Sequence, residues 1–105
     1  MKLFRCVAAV GLVLGASWPL TASAHSPVFD CHKEDASVVC EAGFSDGSSA
    51  AGRKIRVLDI SNKVLMDGVL DAKGVFSFKP PVARYHVVFD GGEGHQVTME
   101  SEDIA

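Results

Sequence analysis

The sequence predicts an all-β fold, a small seven-stranded antiparallel β-sandwich. Three observations predict it. From His25 onward no apolar period of 3.6 residues appears, so no amphipathic helix is indicated. Instead, short runs of alternating apolar and polar residues follow one another, rich in Val, Ile and Phe. Clusters of Gly, Pro, Asp, Asn and Ser separate these runs at the spacing of a sandwich.

The residues before His25 belong to a different class. Lys2 and Arg5 form a basic start, Val7 to Leu14 an apolar stretch, and Pro19 breaks the run. Small residues, Ala22 and Ala24, occupy the two positions a signal peptidase reads. Residues 1–24 are therefore expected to be a signal peptide, and residues 25–105 the sandwich domain. Cleavage would remove Cys6 and leave His25 as the first residue. It would also remove two of the ten Lys and Arg residues, leaving eight against thirteen Asp and Glu, a formal charge of −5. An acidic domain of this size argues against nucleic acid or an anionic membrane as partner. No second apolar run reaches membrane length, so no transmembrane segment is expected after cleavage. The expected location is the periplasm.

The elements follow in order. Val28 to His32 reads as a first strand, with Lys33 to Ser37 as a polar turn. Val38 to Phe44 is a second, placing Val38, Cys40, Ala42 and Phe44 on one face. Ser45 to Gly52 is a loop of turn formers. Lys54 to Ile60 is a third strand, with Ile55 and Val57 inward. Ser61 to Lys63 turns the chain into a fourth strand, Val64 to Leu70, with a bulge expected at Gly68. Asp71 to Gly74 is a tight turn before a fifth strand, Val75 to Lys79, which buries Phe76 and Phe78. Pro80-Pro81 stops it. Arg84 to Phe89 is a sixth strand with Tyr85, Val87 and Phe89 on one face. Asp90 to Glu93 and Gly94 form a flexible turn, and His95 to Glu100 is a seventh strand. Ser101 to Ala105 is expected to fray.

Cys31 and Cys40 are the two cysteines left after cleavage. An even count in an exported chain reads as a disulfide. If the first hairpin centres on Asp35 and Ala36, facing residue numbers sum to 71, and Cys31 faces Cys40. The other reading is a metal site of Cys31, His32 and Cys40.

If every strand reverses direction, the ends of the sandwich alternate. His25 and His95 then share one pole with Asp46, Asp71, Asp90 and Glu93, while His32 and His86 fall at the other. A terminal His25 offers its α-amine and ring Nδ1 to one ion, and His95 can add a third nitrogen. That set suits Ni(II) or Cu(II) in tetragonal geometry. The four acids would raise the local cation concentration, and the glycines around Glu93 would let the bend reach the terminus. Against this stands a plainer reading. His95 caps the core edge, His25 is an accident of the cut site, and Met66 and Met99 fill the core.

Several segments carry a resemblance: Ala24-His25, Phe44-Ser45-Asp46-Gly47, Gly52 to Asp59, Leu70 to Phe78, and Tyr85 to His95 with its closing Gly-Glu-Gly-His. Together they resemble the small exported accessory proteins of nickel and cobalt uptake systems of the energy-coupling-factor type. The resemblance implies a transthyretin-like or carboxypeptidase-regulatory-like sandwich. It implies Ni(II) or Co(II) as the metal, His25 and His95 as its site, and a membrane metal transporter as partner.

The function expected is thus a soluble periplasmic metal-binding accessory protein for Ni(II) or Co(II) uptake. The alternatives are a copper carrier using the same ligands and a metal-free interaction module. An enzyme is not expected, since no Ser/His/Asp set gathers at one pole and no glycine loop opens a helix.

Overall fold

The structure is a computed structural model in which residues 26–105 are described; the expected leader, residues 1–24, and His25 lie outside the described residues. Seven strands follow in order: β1 (Pro27–Glu34), β2 (Ser37–Phe44), β3 (Lys54–Asp59), β4 (Val64–Val69), β5 (Val75–Phe78), β6 (Tyr85–Asp90) and β7 (Gln96–Glu100). They form two sheets, ordered β1-β2-β5 and β4-β3-β6-β7. Every pairing is antiparallel. The all-β sandwich expected from the alternating runs is the fold observed. Among the described residues, no helix is long and apolar enough to cross a membrane.

Alternation decides which side chains enter the core. Tyr85, Val87 and Phe89 of β6 are buried, as are Ile55 and Val57 of β3 and Val38 and Cys40 of β2. Phe89 sits at the centre of an aromatic group. Its ring lies 5.5 Å from Phe29 and 6.0 Å from Phe44, centroid to centroid. It therefore ties the second sheet to both strands of the first hairpin. Phe78 meets Tyr85 edge-on at 5.7 Å and seals the opposite end.

The first hairpin has the inferred register. Cys31 pairs with Cys40, and the pairing runs from Pro27 opposite Phe44 to Glu34 opposite Ser37. The two-residue turn is Asp35-Ala36, and Asp35 adopts a positive φ of 56°. Facing positions bring the two Cα atoms to 4.0 Å, and the Cys31–Cys40 disulfide is formed. The strands are longer than the alternation alone indicated. Lys33, Glu34 and Ser37 stay in the ladder, because a two-residue turn needs only Asp35 and Ala36.

Three expectations are corrected. The irregularity in the fourth strand is not at Gly68: Val57 pairs with Met66 and Leu58 with Val64, so Leu65 is the extra residue. Gly68 stays in register opposite Ile55, and its reason is steric. A Cβ there would lie 2.5 Å from the Phe76 ring, which crosses from the other sheet. The acidic tail does not fray. Ser101–Asp103 forms a 3-10 turn, η1, and Ile104 is buried in the core. The Ala105 carbonyl accepts from the Lys33 amide at 2.7 Å, and the Ser101 Oγ from the Tyr85 amide at 3.2 Å. Ile104 enters the core while Glu102 and Asp103 stay exposed, so burial of the one apolar side chain costs the acids no solvation. Finally, His95 lies outside β7 and is exposed, since its backbone closes the preceding bend rather than extending the ladder.

Candidate metal pole and its cleft

The first described residue is fixed at the pole where the second strand ends. Ser26 donates its amide to Ser45 Oγ at 3.2 Å and accepts from the Ser45 amide at 2.8 Å. Ser45 follows Phe44, so Ser26 is anchored just past the end of β2. The loop beyond folds back, with Ser49 bridging to Gly43.

His95 reaches the same place from the other sheet. The β6–β7 bend runs Gly92-Glu93-Gly94, with φ values of 90°, 47° and 81°. Three successive left-handed residues are what glycine permits and Glu93 tolerates poorly. The Gly91 amide donates to the His95 carbonyl at 2.7 Å, and the His95 amide to the Gly92 carbonyl at 2.8 Å. Gly91 is buried, and a Cβ on it would meet the Phe44 ring at 3.2 Å and the His95 carbonyl oxygen at 3.1 Å. That close approach seats the bend directly on Phe44.

Between the bend and the Ser45–Gly52 loop lies an open cleft of about 420 Å³. Phe44, Ser48, Ser49, Arg53, Gly91, Gly92, Glu93 and His95 line it. A smaller recess of about 280 Å³ adjoins it, sharing Arg53 and Gly92 and adding Gly52, Lys54 and Asp90. The Arg53 guanidinium carbon lies 5.8 Å from the Phe44 ring centroid, over its face.

The expected site residues divide. His95 and Glu93 line the cleft itself, and Asp90 lines only the recess. Asp46, Asp71 and Asp90 are each engaged by their own turns. Asp46 Oδ1 accepts from the Ser48 amide at 2.9 Å and from Ser48 Oγ. Asp71 Oδ1 accepts from the Lys73 and Val75 amides at 2.8 and 3.0 Å. Asp90 Oδ1 accepts from the Gly92 amide at 2.9 Å. The Val75 amide, then that of Lys73, holds the Asp71 carboxyl below its ordinary pKa. His25 lies outside the described residues. Among the described residues, no group of three or more His, Cys, Asp or Glu is gathered to hold a metal ion.

The remaining histidines stand elsewhere. His32 Nε2 contacts Glu34 Oε2 at 2.9 Å on the exposed face of β1, and that hydrogen bond raises its pKa. His86 sits half-buried on β6, paired with Leu58 and Glu100.

Sequence reasoning missed Arg53 and the Phe44 floor. Their signal was their position, since the two residues flank the Ser45–Gly52 loop, which here folds back so that Arg53 lies over Phe44. No known protein family, characterised protein or solved structure matches this chain.

Proposed function

We propose that this protein is a periplasmic metal-binding accessory protein for Ni(II) or Co(II) uptake, holding the ion between a mature N-terminal His25 and His95. One observation supports the reading above the others. Ser26, the residue after His25, is hydrogen-bonded to Ser45 at the same pole where the glycine bend presents an exposed His95. The donor set would be the α-amine and ring nitrogen of His25 with one imidazole nitrogen of His95, a borderline set that favours late divalent metals. Glu93 is the acid positioned to add an oxygen or to attract the ion. A membrane metal transporter is the partner that such a carrier would serve. The same three nitrogens would also take Cu(II), which outranks Ni(II) on most such sites, so a copper carrier is the neighbouring reading.

Isothermal titration of exported protein, with its N-terminus confirmed as His25, tests the reading. Ni(II) or Co(II) should bind one per chain. Affinity should fall below neutral pH, because the amine must lose a proton whose ordinary pKa is about 7.7–8.0. One residue added before His25 should remove most of the affinity, since the amine no longer chelates with the ring. Failure of the processed protein to take up Ni(II), Co(II) or Cu(II) would leave the metal-free interaction module as the better account.

A further inference from the structure

Arg53 is out of place in a site for a bare cation. Its guanidinium lines the cleft that His95 lines, and like charges so close repel. It is nonetheless held there. The Phe44 ring carries it, and the adjacent bend makes room for it: a Cβ on Gly92 would lie 2.7 Å from Arg53 Nη1. Among the described residues, no carboxylate lies within ion-pair distance of it, whereas Arg56 and Arg84 each have one. The cleft, at about 420 Å³, also far exceeds the volume of a single ion.

A guanidinium over an aromatic face keeps its in-plane N–H donors available, and their fork matches a carboxylate. Ser49 Oγ accepts from the Ala51 amide at 3.0 Å and retains its O–H as a donor at the cleft wall. Glu93 opposes these donors, because its carboxylate would repel a free polyanion. A chelate escapes that penalty, since its metal offsets the negative charge while an outer carboxylate still reaches Arg53.

We infer that the cleft takes a small carboxylate-bearing ligand together with the metal, so that the cargo is a metal–carboxylate chelate anchored by Arg53 and His95. The inference rests on the metal reading above and names the form in which the ion arrives. Arg53 is then the residue that distinguishes a chelate from a hydrated ion.

Native mass spectrometry of exported protein beginning at His25 tests it, with Ni(II) and citrate as probes. The wild-type protein should carry Ni(II) and citrate together, one of each. In Arg53→Gln, the share of Ni(II)-loaded protein that also carries citrate should fall at least tenfold, with Arg53→Lys between the two. Circular dichroism checks the fold, and the Arg53 backbone bonds to Ala50 and Leu70 do not involve the side chain. An equal citrate share in wild type and Arg53→Gln, or Ni(II) bound by the wild type without citrate, overturns the inference and leaves the metal reading standing. Absence of Ni(II) from every species overturns both.

Discussion

The β1–β2 and β6–β7 hairpins reach the same pole by opposite means. The first arrives with its open end, where Pro27 faces Phe44. Eight residue pairs and a disulfide at mid-length hold it. The second arrives with its closed end, a bend of three left-handed residues over a ladder of only five pairs. One hairpin is locked by a covalent bond and a two-residue turn. The other is held through β6, which buries Tyr85, Val87 and Phe89, while its bend rests on glycine geometry and on Phe44. The side chains that line the cleft, Glu93 and His95, ride on the bend of the second. A bend that exposes polar side chains and accepts uncommon dihedrals draws its rigidity from what it packs on, here the Phe44 ring.

The largest effect should come from cutting the link between the two hairpins. Phe89 is fully buried and packs on Phe29 and Phe44. Phe89→Ala should cost about 3–5 kcal/mol in denaturant unfolding. Next comes the lock on the first hairpin. Replacing Cys31 and Cys40 together by Ala should cost about 2–3 kcal/mol, the chain-entropy value for so short a loop. Retention of wild-type stability would mean that the ladder alone fixes that hairpin.

A smaller effect of opposite sign is expected in the second hairpin. Glu93 is the one non-glycine among the three left-handed residues of the bend. Glu93→Asn should raise stability by up to about 1 kcal/mol, since Asn tolerates that region better. No gain would show that the bend is relaxed rather than held against its preference.

The smallest effect concerns pH. The Asp59 carboxyl is lowered first by the Lys63 amide and then by that of Ser61, and the Asp71 carboxyl by the Val75 and Lys73 amides. A depressed folded pKa means the stabilisation is present above the unfolded value, about 3.9, and is lost as pH falls through the folded value. Stability should therefore decline on acidification below about pH 4, and Asp59→Ala with Asp71→Ala should flatten that decline. His32 runs the other way: Glu34 raises its pKa, so its contribution is full below about pH 6.5 and fades as pH rises through the folded value.

Much of this architecture could be read from residues. Alternation at Tyr85, Val87 and Phe89 gave the buried face of β6, and a turn centred on Asp35 and Ala36 gave the Cys31–Cys40 pairing. Both are local rules with a period of two. What escaped was non-local. Gly68 is small because Phe76 arrives from another sheet, and Ile104 is buried because the core has room for it beside β6. Arg53 joins the cleft because the Ser45–Gly52 loop, in crossing from one sheet to the other, returns it over Phe44, and no rule of period two describes that path. Asp46, Asp71 and Asp90 each accept hydrogen bonds from their own turn, and residue type cannot show this, because a loop aspartate reads the same whether it caps or coordinates.

The proposed function turns on which imidazoles a metal ion meets. Processed protein carrying ¹⁵N-labelled histidine can be titrated with substoichiometric Co(II), whose paramagnetism perturbs only nearby rings. If His25 and His95 hold the ion, their ring signals broaden or shift together at the first additions, while those of His32 and His86 hold. Perturbation of His32 or His86 first, or of His95 without His25, would contradict it.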